Sequence, residues 1–378
     1  MKKRVGDYID ERTGLKPVLR YVLDRRLPAG ISWLHTFGSA SLTLFILMVV
    51  TGMFLALNYA PSITDAHAST AYIQHQVPLG GFVLGLHFWG ASAMVILVTV
   101  HLLRVFFMGA YKFPRELNWM IGVVIFGLVL LFAFTGYLLP WDNTAFFATR
   151  VGVNIVGSVP LLGGALAALL SGGPEIGAAT LTHFYAIHVL FLPSIVGLLI
   201  AAHLFLVVRN GIAPLPGRVA AHLRGRPRVL GDGPGAMRAP DAEIPEAAGA
   251  AQTGDSFYPR HVLMDAVVSL LVLLVVVALA LLFAVPDSGN ANPANSGFVP
   301  RPAWYFLAPF QLLKYVPGPL EAVATALLPI VAGVSLLLLP FIDRRQGRHP
   351  FDRPLVTSIG VASLVALVAL TVAGAISS

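Results

Sequence analysis

Four histidines carry the chemistry this sequence offers. His87 and His101 lie fourteen residues apart, and His188 and His203 fifteen apart, each pair inside a long apolar stretch. On a helix turning about 100° per residue, both separations return to within ~60° of one face, with about 21 Å and 22 Å of axial rise between partners. Imidazole is expensive inside a bilayer unless it is partnered, so intramembrane histidines point to function. Two facing pairs on parallel helices are the ligand sets of two bis-histidine haems stacked through a helical bundle. The competing reading, in which each histidine only hydrogen-bonds a neighbouring helix, suits a lone residue better than four at matched depths. Glycines repeat the same step. Gly38 and Gly52 are fourteen apart, as are Gly122 and Gly136. Missing side chains there let a flat macrocycle approach the flanking helices. Small-residue helix packing explains one such pair more readily than two.

The elements that must position these residues are membrane spans. A span needs about 20 mostly apolar residues, and seven stretches qualify: residues 33–58, 82–108, 119–139, 182–208, 262–285, 320–342 and 355–376. The histidines fall in the second and fourth, the paired glycines in the first and third. The expected fold is an all-α, multi-pass membrane protein of about seven helices, a four-helix dihaem bundle followed by three C-terminal helices. A short surface helix is expected near residues 18–27.

Composition agrees. Of 378 residues, 57% are hydrophobic and 11% charged, against about 25% charged in soluble domains. That balance excludes a disordered chain, a nucleic-acid-binding protein and a secreted disulfide scaffold. Cysteine is absent, which excludes disulfides, thiolate metal sites and thioether-attached cofactors. The net charge of +7 has a membrane explanation. Seven spans place all but Arg150, Arg301 and Lys314 of the 25 Lys and Arg on one side, which makes that side, and the N-terminus, cytoplasmic. The basic first 30 residues lack the apolar core and cleavage site of a signal peptide. The expected location is the bacterial inner membrane.

Residues 210–256 are rich in Gly, Pro, Ala and Arg and read as a cytoplasmic linker. The expected division is an N-terminal segment 1–30, a four-helix domain 31–209, the linker 210–256 and a three-helix domain 257–378. Two outer connections, residues 140–181 and 286–319, are too long for turns, and long structured loops are more often functional than idle.

At this point the chain resembles cytochrome b of the Rieske/cytochrome b quinol-oxidising complexes. The resemblance rests on the four histidines, the glycine pairs, Lys112–Phe113–Pro114–Arg115–Glu116–Leu117, Gly136–Tyr137–Leu138–Leu139–Pro140–Trp141–Asp142, Phe184–Tyr185, Ala303–Trp304–Tyr305–Phe306 and Pro350–Phe351–Asp352–Arg353–Pro354. The fifteen-residue step and three-helix C-terminal half are similar to the chloroplast and cyanobacterial branch, where the halves are separate subunits.

The resemblance implies quinol oxidation near the outer face, one electron going to a Rieske iron–sulfur protein and the other through two b haems to an inner-face quinone. It implies that His87 and His188 ligate the outer haem, and His101 and His203 the inner one. Arg104 and Arg115 would pair with haem propionates or a quinone, or simply anchor the positive side. The inner quinone site is expected near Arg209 and Asp265, the latter equally explicable as a solvated helix-end residue. The outer quinol site would involve Trp141, Asp142, Asn143, Trp304 and Tyr305. A cytochrome c-type acceptor and a homodimeric complex complete the implied partners.

The chain departs from the family pattern in three places. Where relatives carry Pro-Glu-Trp-Tyr, it has Pro302, Ala303, Trp304 and Tyr305, so the glutamate thought to accept a quinol proton is missing: either another group, Asp142 or His183, substitutes, or the outer site is impaired or repurposed. Phe88 and His183 stand where arginine is common. Thr36 stands near the cysteine that carries a third, covalent haem in the chloroplast branch, so no covalent haem is expected. The missing glutamate also favours an alternative, a dihaem membrane anchor that joins quinone to a non-Rieske partner without parting its electrons. A histidine-relay transporter is the reading from another class, but the inverted repeats typical of transporters are absent.

Overall fold

A computed structural model describes residues 5–28, 30–216, 257–295, 297–299, 301–316, 320 and 327–377. Most of the linker expected at 210–256 lies outside them. Its first residues, 211–216, form no regular element.

Two short helices, α1 (Val5–Thr13) and α2 (Leu15–Leu23), precede the first span. The surface helix thus starts earlier than its expected position at 18–27 and ends at Leu23. Pro17 is tolerated in the first turn of α2, where its absent N–H has no partner to lose. Then follow α3 (Phe37–Ala56), α4 (Ala66–His75), α5 (Gly80–Phe107), α6 (Glu116–Tyr137), α7 (Asn143–Gly157) and α8 (Gly163–Ser171). The fourth span is α9 (Ala178–Asn210). After the linker come α10 (Val262–Leu282), α11 (Leu307–Tyr315), α12 (Leu328–Leu337) and α13 (Pro354–Ile376).

Among the described residues, six helices are long and apolar enough to cross a membrane, and α12 is a shorter apolar one. The sixth expected span, 320–342, is therefore described only in part. Lys314 Nζ and the Arg301 guanidinium reach Ser377, at the end of α13. In the last turn of α12, the Leu336 carbonyl accepts a bond from Trp119 Nε1, in the first turn of α6. Lys314 and Leu336 therefore stand at opposite ends of the bundle.

Span α3 packs along α5, α9 along α6, and α5 meets α6 to close the four-helix bundle. Helix α10 lies against α3 and α5, where an added Cβ at Gly85 would come within 3.1 Å of Ala280. Large apolar side chains such as Phe54, Leu198, Leu274 and Val365 stay exposed. In water that surface would be an aggregation hazard, whereas a bilayer covers it at no cost.

At the bundle end that holds Phe106 and Arg353, the two halves are joined by a buried ionic knot. Arg353 is fully buried and donates to Asp343 Oδ2 at 3.2 Å, Tyr111 Oη at 2.6 Å and the carbonyls of Phe106 and Phe107. Lys112 Nζ lies 3.1 Å from the same Asp343 carboxylate. Burial pushes that carboxyl up, but hydrogen bonds from Tyr111 and Lys112 and the Arg353 guanidinium outweigh it and hold it below the usual carboxylate range.

Candidate functional site

The histidine spacing is realised by two different helical geometries. Span α5 is continuous, and fourteen residues separate its histidines. Span α9 contains a π-turn over Ile187–Phe191, with Leu192 N–H bonded back to the Ile187 carbonyl. A π-turn accommodates one extra residue within a helix and is often found at functional sites. That extra residue converts the fifteen-residue step of α9 into the equivalent of the fourteen-residue step of α5. Pro193 explains the turn's place, since it lacks the N–H that would bond to the carbonyl four residues before it.

His87 and His188 face each other with ring centroids 6.2 Å apart and planes at 68°. At metal–nitrogen distances of about 2 Å, that separation takes one ion between two imidazole nitrogens. The outward nitrogens are already committed. His188 Nδ1 lies 3.1 Å from the Phe132 carbonyl, which can only accept, so Nδ1 carries the proton and Nε2 presents a lone pair. His87 Nδ1 lies 2.9 Å from Thr51 Oγ1, whose own hydrogen is given to the Leu47 carbonyl. Hydrogen bonds of this kind fix tautomer and ring orientation in metal-ligating histidines. At the other end His203 Nδ1 is buried and faces the Asn118 carbonyl outside hydrogen-bond geometry.

Each histidine has a glycine opposite it. A Cβ on Gly52 would lie 3.3 Å from His87 Cε1, on Gly38 3.2 Å from His101 Cε1, on Gly122 3.3 Å from His203 Cε1, and on Gly136 2.5 Å from His188 Cε1. The glycines therefore clear room for the imidazoles themselves, one glycine to each ring. The donor set, the fixed tautomers and the four cradles fit two b-type haems, one near each end of the bundle. Thr51 and Thr135 contact His87 and His188, and histidine spacing alone misses them. Both stand immediately before a cradle glycine, and Thr135 Oγ1 lies 3.2 Å from His188 Nδ1, so the repeated Thr-Gly dipeptide was the available signal.

At the outer end, Trp141–Asn143 is pinned by the loop after α10. Asn143 Nδ2 donates to the Ser288 carbonyl, and Ala291 N to the Trp141 carbonyl. Asp142 is buried at the N-terminus of α7, where its Oδ1 accepts from Ala145 N at 2.7 Å. Burial pushes its carboxyl up, against the pull of hydrogen bonds from Ala145 and Ser288. Trp304 Nε1 reaches Ser92 Oγ on α5 at 3.3 Å, and Phe306 packs on Phe134 of α6. Burial raises the Tyr305 hydroxyl to about 12. Tyr137 is within electrostatic reach of both Asp142 and Tyr305, and its hydroxyl reaches the Arg301 carbonyl. The structure thus brings Asp142 and Tyr305 to one corner of the bundle. His183 is exposed and bonds with the Leu169 carbonyl of α8.

At the inner end, Asp265 accepts from Ser39 Oγ at 2.6 Å and lies 3.7 Å from His261 Nε2. His261 is buried, and its Nδ1 has no hydrogen-bond partner. It was not singled out in the sequence, because it lies beyond the linker and ahead of the apolar run. His35 donates from Nε2 to the Ala213 carbonyl, and burial, with the nearby Arg104 second, lowers it to about 4. Arg104 is in reach of His101 and leaves Nε buried without a partner, which suits an anionic group. Arg115 is occupied otherwise, donating to the carbonyls of Asn210 and Gly211 at the end of α9. Arg209 lies in a cleft with Arg20, Tyr21, Asp24, Arg25 and Val208, and Asp265 is not part of that lining.

Comparison with known proteins places the chain among relatives. The family described as cytochrome b/b6/petB matches residues 22–211, and cytochrome b (C-terminal)/b6/petD matches residues 290–378. The menaquinol:cytochrome c reductase cytochrome b subunit of Bacillus subtilis is 45% identical over 221 residues, 56% of this chain and 99% of that protein. The cytochrome bc complex cytochrome b subunit of Chlorobaculum thiosulfatiphilum is 36% identical over 360 residues, 93% of this chain and 76% of that one. Among solved structures, a chain of a hyperthermophilic respiratory Complex III superposes with a TM-score of 0.82 at 26% identity, covering 99% of this chain and 92% of its own.

Proposed function

The chain belongs to the cytochrome b/b6 family and serves transmembrane electron transfer in a quinol:cytochrome c oxidoreductase complex, and on that premise we propose how its residues divide the work. His87 and His188 hold an outer b haem, and His101 and His203 an inner one. When bound, these groups supply one-electron stations across the membrane. The observation that carries this reading is the one-to-one facing of the four histidines by Gly52, Gly136, Gly38 and Gly122.

Quinol oxidation belongs at the outer corner between Trp304, Tyr305 and Asp142. With Ala303 unable to act as a base, Asp142 is the proton acceptor. Its burial raises proton affinity toward the range in which a general base is effective, and general-base help is typically worth about 10²–10⁴-fold. Tyr137 stands beside it as a positioning residue. Quinone reduction belongs at the inner end, around Asp265, Ser39 and His261, with Arg104 facing the inner haem's carboxylates. The N-terminus faces the cytoplasm of the bacterial inner membrane. A Rieske protein and a cytochrome c-type subunit accept the electrons, and the complex is a homodimer. The chain divides into segments 1–30, 31–209, 210–256 and 257–378, with the ionic knot tying the two helical halves together.

The test is haem stoichiometry. Pyridine haemochrome analysis of the purified complex is expected to give two haems b for each copy of this chain, and His188→Ala or His203→Ala one. Two haems retained in either variant would refute the ligand assignment. Ala303 supports a second reading, a dihaem anchor that passes both quinol electrons along one route, and oxidant-induced reduction of haem b separates the two.

A further inference from the structure

Resting on the assignment of His203 to the inner haem, we propose that Asn118 is a positioning residue for that haem. Its side-chain Oδ1 accepts the Nδ1 proton of His203 and thereby holds the inner haem's potential down. On α6 the cradle glycines Gly136 and Gly122 each have a backbone carbonyl four residues earlier, at Phe132 and Asn118. The Phe132 carbonyl takes the proton of His188 Nδ1 at 3.1 Å. The matching bond at the inner end is not made. The Asn118 carbonyl faces His203 Nδ1, which stays buried without a partner. Thr135, 3.2 Å from His188 Nδ1 at the outer end, has no hydroxyl counterpart either, because the residue before Gly122 is Ile121. What the inner end has instead is the amide of Asn118, whose Oδ1 is also buried without a partner.

The two atoms are complementary. With Nε2 turned to the iron, Nδ1 carries the ring proton and can only donate, whereas Oδ1 can only accept. A buried polar group left unpaired has given up water for nothing, so both atoms gain when they meet. Asn118 stands one helical turn before Gly122 on the same face of α6. A Cβ at Gly122 would lie 3.8 Å from His203 Nδ1, so the bond asks for a rotation of the Asn118 side chain rather than a shift of the helix. The consequence is electrostatic. An acceptor on Nδ1 raises the basicity of the ligating imidazole, which favours ferric over ferrous iron. The Asn118 amide therefore favours release of the electron to a quinone over its retention.

The experiment is a redox titration of the purified complex, followed by haem b absorbance, with haemochrome analysis beside it. The single-haem His203→Ala complex shows which of the two steps belongs to the outer haem. Asn118→Leu should keep two haems per chain and raise the inner potential. The expected shift of its one-electron equilibrium is about threefold to tenfold, or about 28–59 mV, with the outer step unmoved. Asn118→Asp, which keeps an acceptor of the same size, should bring the inner potential to or below the wild-type value. Should Asn118→Leu lose the inner haem, Asn118→Asp decides alone: its inner potential must fall, and an unchanged or raised value overturns the proposal. Two haems with both potentials unchanged in Asn118→Leu, an equal shift of both, or a rise in Asn118→Asp would also overturn it while leaving the ligand assignment standing. Two haems retained in His203→Ala would overturn that assignment instead, and the role of Asn118 with it.

Discussion

One methyl group is enough to test the histidine core at the scale of single residues. The Cβ of Gly136→Ala would sit 2.5 Å from His188 Cε1, closer than unbonded carbons approach, so the ring must turn away from the Phe132 carbonyl that fixes its tautomer. Haemochrome analysis should find one haem per chain in this variant. Gly38→Ala, at 3.2 Å from His101, needs a shift of only a few tenths of an ångström and should keep both. A second contrast concerns the threonines. Thr51→Val deprives His87 Nδ1 of its hydrogen-bond acceptor and should weaken haem retention by about 10–100-fold, measured by transfer to a haem scavenger. Thr135→Val leaves His188 its carbonyl and should change much less. The four histidines were legible because polar residues are conspicuous in apolar runs and their step matches a helix face. The glycines were legible as a repeat, but which ring each one clears depends on how the spans pair, and local spacing does not encode that.

The helical elements were legible for the same reason the histidines were: twenty apolar residues in a row have few other places to go. The π-turn in α9 was hidden, although the fifteen-residue step and Pro193 are its signature together. The knot of Lys112, Tyr111, Asp343 and Arg353 was hidden more deeply, since its partners are separated by most of the chain. It makes a quantitative prediction. Removing one member of a buried ion pair leaves an uncompensated charge, at about 3–5 kcal/mol. Arg353→Met should therefore lower the thermal midpoint of the complex markedly, whereas Arg344→Met, at an exposed position, should not. The pH dependence has a definite sign. A carboxyl held below its ordinary value contributes stability above about pH 4 and loses it as pH falls through the depressed value. The gap in thermal midpoint between wild type and Asp343→Asn should be widest near neutrality and close below about pH 4. A gap that widens in acid would contradict the knot.

For the whole molecule, the excess of Lys and Arg on one side predicts the orientation, and the fold adds an independent constraint. The ends of α13 lie far apart in the bundle, Arg353 beside Phe106 and Ser377 beside Arg301. An odd number of crossings therefore separates the N-terminal segment from Ser377. Alkaline phosphatase fused after Ser377 should be active, since that end faces outward. The same reporter inserted in the linker should be inactive, and the reverse pattern would invert the topology. What the whole sequence could not disclose is the division of labour at its two ends. Ala303 removes a base in one loop, and only the assembled fold shows that Asp142, from another loop, shares a corner with Tyr305 through Tyr137. Whether that corner still parts the two electrons of a quinol is the central question. The measurement is made on the purified complex with its partners, under anaerobic conditions, with quinol supplied, the inner quinone site blocked by an inhibitor shown to bind, and haem b absorbance followed after a pulse of oxidant. We expect haem b to become reduced as the oxidant is consumed, and Asp142→Asn to slow that reduction by about 10²-fold or more. If haem b is instead oxidised by the pulse, the electrons do not part, and the chain is a dihaem anchor.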